Sequence, residues 1–186
     1  MSICIFYYDG FCEFEVVLSA LQFKGNYFTA ALENRIYISE EKQKFIPDKT
    51  IDELNTDDID LFIIPGGNPA YLYNNIQLKD FIKELNRTNK LIAGICAGTY
   101  LMASYGLLEN KRCTGASSGI DENGEYFDLF KNSIIVKEDV VVDGNAITST
   151  GQGFIELALQ LCIMMKVYSN DDEAVKAYNW FKNFKY

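Results

Sequence analysis

Residues 94 to 98 read Gly-Ile-Cys-Ala-Gly, a cysteine with a glycine two positions away on either side. This is the spacing of the G-x-S-x-G nucleophile elbow with sulfur in place of oxygen. Small flanking residues permit a sharp strand-to-helix bend, which projects the central side chain from the carboxyl end of a sheet, where open α/β folds place their sites. LIAGI (91–95) reads as a buried strand and AGTYLMASYGLL (97–108) as a helix, so Cys96 falls on the transition. The unpaired N–H groups of the helix start favour a thiolate over a thiol. A thiol with a reference pKa of about 8.5 falls to roughly 3.5–7.5 in such settings. A nucleophile that is already an anion needs no base to remove its proton. The plain alternative for Cys96 is a small buried residue in a tight turn.

A second stretch belongs with the first. DLFIIPGGN (60–68) is a buried strand running into Pro-Gly-Gly, whose backbone N–H groups could face the neighbouring strand end. The Gly67 and Ala97 amides together would form an oxyanion hole; taken alone, the loop is an ordinary Pro-Gly turn. No histidine occurs anywhere in the chain. The usual thiol-activating imidazole is therefore missing.

The elements that would position these groups alternate along 186 residues, a length that suits one domain, taken as 1–186. ICIFYY (3–8) reads as a strand and residues 13–23 as a helix with apolar residues at helical spacing. Strands follow at 28–33 and 59–65, with a short strand or hairpin arm at 36–39, then an amphipathic helix at 77–90. Beyond the elbow, CTGAS is a candidate short strand, and IIVKEDVVVDGNAITST a hairpin turning at Asp143-Gly144-Asn145. Helices are expected at about 152–167 and over the last residues, where Tyr178, Trp180, Phe181 and Phe184 form a stripe that docks the terminal helix or serves a partner. The alternation predicts an α/β fold with a mostly parallel sheet covered on both faces.

The formal net charge of −9, with no Lys/Arg cluster, argues against nucleic acid and against a membrane surface as partners. The N-terminal residues read as a first strand rather than a signal peptide, and FIELALQLCIMMKVY is interrupted by Glu156 and Gln160 as a buried helix would be. A cytoplasmic protein is expected. Five scattered cysteines without a C-x-x-C pair suggest thiols, neither a disulfide framework nor a metal site. Cys4 and Cys162 read as core; Cys12 and Cys113 are candidates for a resolving thiol near the pocket.

Together, DGFCEFEVV, IDLFIIPGGN, LIAGICAGTYLMASYGLLENKRCTG and AITSTGQGFIELAL resemble the ThiJ/PfpI family, of the class I glutamine amidotransferase-like superfamily, in order and over nearly the whole chain. The resemblance implies a flavodoxin-like three-layer α/β sandwich and a homodimer. It places the family's elbow cysteine on Cys96, its oxyanion amides on Gly67 and Ala97, and its acidic residue, hydrogen-bonded to the sulfur from the first helix, on Glu15, with Glu13 as competitor. At the place of the histidine that many members carry stands Gly115, next to Thr114. A Cys-His protease or amidase mechanism is thereby disfavoured.

A carboxyl desolvated beside a thiolate is pushed toward its protonated form, and the two would share a proton. Protonated Glu15 could donate to the sulfur and then relay a proton, giving acid/base catalysis without imidazole. The expected activity is a hydrolase or lyase acting on a small electrophilic substrate, glyoxalase- or deglycase-like or isocyanide hydratase-like, with no cofactor. The competing expectation is a redox-sensing or chaperone-like stress protein with an oxidisable Cys96.

Overall fold

The structure, a computed structural model, describes residues 2–183. In chain order its strands are β1 (Ile3–Phe6), β2 (Tyr27–Ala31), β3 (Tyr37–Ile38), β4 (Lys44–Phe45), β5 (Lys49–Thr50), β6 (Leu61–Ile64), β7 (Leu91–Ile95), β8 (Arg112–Cys113), β9 (Ile134–Ile135), β10 (Val140–Asp143) and β11 (Ala146–Ser149). The α-helices are α1 (Phe14–Gln22), α2 (Ile76–Arg87), α3 (Gly98–Ser104), α4 (Phe154–Met164) and α5 (Asp171–Asn183).

β1 and β6 are four-residue runs of apolar side chains, every one of them buried. Such runs suit strands covered on both faces and predict parallel pairing. The main sheet has the order β10-β11-β7-β6-β1-β2-β5. Its pairings are parallel except for the β10–β11 hairpin, whose turn falls at Asp143–Asn145 with Gly144 at φ +62°. α1 packs on α4 and α4 on α5, while α2 and α3 lie against β7. The result is a flavodoxin-like three-layer α/β sandwich. From β1 the chain steps outward to β2, then returns to β6 on the opposite side of β1. Ligand crevices of open α/β sheets form at the carboxyl ends of strands flanking such a reversal.

The segment read at 36–39 as a short strand or hairpin arm is an arm, β3, of a separate β3–β4 hairpin that matters for the site. Its turn is tied to the loop after β1: Gly10 N–H donates to Ile38 O at 2.8 Å, and Glu40 N–H to Phe11 O at 2.9 Å. α1 turns the opposite way from its apolar pattern. Glu15, Ser19 and Gln22 are buried with Val16, whereas Phe14, Val17 and Leu21 are exposed. Polar partners compensate the inversion, Gln22 Oε1 accepting from the Tyr168 hydroxyl at 2.8 Å and Glu15 accepting from a backbone amide described below. In α5, docking falls to Ala174, which is fully buried, and to Tyr178, whose hydroxyl donates to Glu156 Oε1 at 2.8 Å. Trp180 stays 40% exposed, so the aromatic stripe does not dock as a unit. Phe184 lies outside the described residues.

Candidate active site

β7 delivers Cys96 and α3 begins two residues later, so one residue must absorb the turn. That residue is Cys96 itself, at φ +52° in the left-handed region that side chains other than glycine seldom occupy. Backbone hydrogen bonds hold it there: its N–H donates to Ser149 O at 2.9 Å, and its carbonyl accepts from Ala116 N–H at 3.1 Å. Strain of this kind persists only where the surroundings over-determine it, which is typical of functional positions.

Glu15 lies in the first turn of α1 and is 1% exposed. Its Oε2 accepts from Gly66 N–H at 2.6 Å, and its carboxyl is hydrogen-bonded with Cys96. Glycine at 66 is a steric requirement. A Cβ there would stand 2.6 Å from both Cys96 Cβ and Glu15 Oε2. Gly67, at φ +111°, pairs with Phe11 in an isolated bridge that presses the loop onto the chain after β1. The Tyr8 hydroxyl, 2.9 Å from Pro65 O, adds a second anchor to that loop. With the loop so held, the backbone amides of Gly67 and Ala97 both hydrogen-bond the Cys96 sulfur. Glu13, the competing acid, is not among the groups acting on the sulfur. Its N–H donates to Glu41 Oε2 at 3.2 Å, and its own Oε2 is buried without a partner among the described residues.

The charge state differs from the sequence expectation. The start of α3 was expected to lower the thiol, yet burial pushes Cys96 up to about 12, the negative charge of Glu15 adds to the rise, and the Ala97 and Gly67 amides only oppose it. Burial likewise raises Glu15 to about 7, against the pull of Gly66 N–H and of Cys96. Two acids in contact in a desolvated site cannot both ionise at neutral pH. Above about pH 7 the pair carries one negative charge and one shared proton.

The sulfur and Glu15 open onto a cavity of about 580 Å3 that Cys12, Phe14, Glu40, Gly67, Ser117 and Gln152 also line, with Gly151 and Phe154 completing the wall. Phe14 and Phe154 meet edge to face with centroids 5.5 Å apart and make the apolar side. Cys12 Sγ–H donates to Glu40 Oε2 at 2.7 Å. Burial and then Glu40 keep that thiol well above its ordinary range, so Cys12 is a neutral donor. Cys113 is fully buried and is not part of the cavity wall. Sequence reasoning missed Glu40, Ser117, Gln152 and Phe154. Gln152 and Phe154 lie within AITSTGQGFIELAL but were not singled out, and Glu40 and Ser117 come from turns brought in by tertiary contacts.

Gly115 has no room for the absent imidazole. A Cβ there would lie 2.8 Å from Thr99 Cβ. The residues of that turn nearest the site are Ala116, bonded through its backbone to Cys96 and Gly151, and Ser117 in the cavity wall. Among the described residues no group of His, Cys, Asp and Glu is arranged to hold a metal ion. No helix among them is long and apolar enough to cross a membrane.

An open α/β sheet with a strained cysteine elbow, a buried glutamate beside the sulfur and two amides aimed at it defines a class of elbow-cysteine α/β proteins. Within that class, residues 1–164 match the profile of the DJ-1/PfpI family, and the chain belongs to that family. It is 34% identical over 118 residues to the uncharacterized protein MJ0967 of Methanocaldococcus jannaschii, covering 61% of this chain and 55% of that one. It is 29% identical over 152 residues to protein DJ-1 homolog B of Arabidopsis thaliana, covering 80% of this chain and 33% of the relative. Deglycase TK1284 of Thermococcus kodakarensis is 25% identical over 161 residues, covering 82% of this chain and 92% of its own. The chain thus spans about half or less of the length of the first two relatives and nearly all of the third. Among solved structures, Drosophila melanogaster DJ-1beta superposes with a TM-score of 0.81 at 24% identity, covering 94% of this chain and 95% of that one. A ThiJ/PfpI family protein from Bacillus anthracis superposes at 0.84 and 17% identity, covering 100% and 92%. These two likenesses bear on the fold alone.

Proposed function

We propose that this protein is a cysteine-dependent hydrolase or lyase of small electrophiles, of the deglycase or glyoxalase type, in which Glu15 performs the proton transfers usually assigned to histidine. The observation that carries the reading is the convergence of Gly67 N–H, Ala97 N–H and the Glu15 carboxyl on one strained sulfur that opens onto a cavity. The deglycase-named relative favours the same class.

The reactive form is the tautomer in which Glu15 holds the shared proton and the sulfur holds the charge. With a 2-oxoaldehyde, Cys96 sulfur adds to the aldehyde carbon and the carbonyl π electrons move to oxygen. The oxyanion then takes the place of the sulfur's charge at the Gly67 and Ala97 amides, where preorganised donors act most strongly on developing charge. Glu15 gives its proton to that oxygen and, now a carboxylate, carries the C1 proton to C2 while the C1 hydroxyl proton passes to the C2 oxygen. The product is a 2-hydroxy thioester. Water cleaves the thioester to the 2-hydroxy acid and returns the proton to the pair, so one aldehyde and one water yield one acid. Positioned proton transfer of this kind contributes typically 100- to 10,000-fold.

Turnover of methylglyoxal, followed as D- or L-lactate, tests the reading with Cys96→Ser and Glu15→Gln as controls. Loss of turnover in both variants is expected, and turnover that survives Cys96→Ser refutes it. One observation favours a second reading, a redox sensor: all five cysteines are free and Cys96 alone among them is partly exposed. Absence of turnover together with selective peroxide oxidation of Cys96 would establish that reading instead.

A further inference from the structure

The cavity over Cys96 has a one-sided charge. Its titratable lining groups are Cys12, Glu15, Glu40 and Cys96, and no lysine or arginine lines it. Glu40 is carried on the turn of the β3–β4 hairpin, which several bonds clamp over the chain after β1. Besides the two backbone bonds already described, Ile38 N–H donates to Asp9 Oδ1 at 3.2 Å, and Arg35 bridges to Asp9 at 2.6 Å. The Cys12 thiol, donating to Oε2 at 2.7 Å, then fixes the carboxylate at the cavity wall. Glu41, next on the same turn, is held outside that wall by Glu13 N–H at 3.2 Å. The negative charges of Glu40 and Glu41 both reach Glu15, adding to the rise that burial causes.

We propose that Glu40 is a specificity-determining residue: held by Cys12 at the mouth of the site, it selects neutral and cationic electrophiles and repels anionic ones of the same shape. The proposal rests on the preceding reading of Cys96 as the reacting sulfur. The substrate class is a small carbonyl-type electrophile, uncharged or bearing an ammonium or guanidinium group, whose apolar part lies against Phe14 and Phe154. Electrophiles that carry a carboxylate, such as 2-oxoacids, are disfavoured. A carboxylate at the wall of a partly solvated cavity discriminates a monocation from a monoanion by roughly tenfold, and the effect shrinks as salt shortens the screening length.

Charge-matched thiosulfonates test this without requiring turnover. Cys96 attacks the thiosulfonate sulfur, forming a mixed disulfide and releasing a sulfinate, and the Cys96 peptide is followed by mass spectrometry. Three probes are used at low salt: trimethylammonioethyl methanethiosulfonate, sulfonatoethyl methanethiosulfonate and the neutral methyl methanethiosulfonate, whose rate corrects for access and thiol ionisation. The cation-to-anion rate ratio at Cys96 is expected to exceed that of N-acetylcysteinamide by about tenfold. It should fall severalfold in Glu40→Gln and further in Glu40→Lys, while Glu41→Gln has the smaller effect. A ratio equal to that of the free thiol, or one unmoved by both Glu40 variants, overturns the proposal. Methylglyoxal turnover that persists in either of those cases leaves the function reading standing alone. A full charge preference in a protein without turnover sinks only the function reading, and a Cys96 inert to the neutral probe sinks both.

Discussion

Replacing Glu15 with glutamine should stabilise the protein at alkaline pH while abolishing the proposed turnover. The folded environment raises the Glu15 carboxyl from 4.5 to about 7, with burial the main cause. A group whose folded value stands above its unfolded one contributes fully below about pH 4.5, and its contribution is lost as the pH rises through about 7. A rise of about 2.5 at 1.36 kcal/mol per unit gives about 3 kcal/mol of stability lost by the wild type across that window. Glutamine does not titrate, keeps an oxygen for Gly66 N–H and can offer its NH2 to the sulfur. The difference in unfolding free energy between Glu15→Gln and wild type should therefore move in favour of the variant by about 3 kcal/mol between pH 4.5 and pH 8. Groups not in contact with Glu15 titrate alike in the two proteins and cancel in the difference, and Cys96, Cys12 and Tyr8, which its charge raises, have ordinary values above this window. Urea unfolding at both pH values, with unchanged m-values, measures it. A difference that is the same at both pH values would refute the claim that a desolvated, ionisable carboxyl sits beside Cys96.

Other outcomes follow from the same geometry. The left-handed backbone of Cys96 predicts that Cys96→Gly is about 1 kcal/mol more stable than Cys96→Ala by thermal or urea unfolding, although both lack the nucleophile. Gly66→Ala forces a methyl group to within 2.6 Å of Cys96 Cβ and Glu15 Oε2. It should cost about 1–3 kcal/mol and abolish the proposed methylglyoxal turnover, and a Gly66→Ala as stable as the wild type would contradict the packing described. Gly115→His should fail to raise turnover, because Thr99 occupies the space its Cβ requires; an increase measured in the same assay would show that the turn yields.

Much of the architecture was legible because it depends on local patterns. Runs of mostly buried apolar residues mark β1, β6 and β7, and LIAGI was read to its final boundaries. Asp143-Gly144-Asn145 marks the β10–β11 turn, with Gly144 in the left-handed region that such turns use. β8 shares only Cys113 with the CTGAS candidate, and β9, read as part of the hairpin beginning at Ile134, pairs with β8 instead, while the two-residue β5 depends on β2 for its pairing; such short strands are set by distant partners. α1 was read as a helix from its period, but the period does not say which face turns inward. Its apolar residues suggested an inward apolar face, but the buried face carries Glu15, Ser19 and Gln22, each of which needs a partner supplied from elsewhere in the fold.

The elbow cysteine, the Pro-Gly-Gly loop and the absence of histidine are properties of short segments and of composition, so the chain alone determined the kind of chemistry available and ruled out imidazole. The ionisation of the sulfur was decided by tertiary structure, because desolvation and the Glu15 charge act through space and outweigh the two local amides. So was the acidic wall: Glu40 lies 56 positions before Cys96, and only the clamped hairpin brings its charge to the cavity.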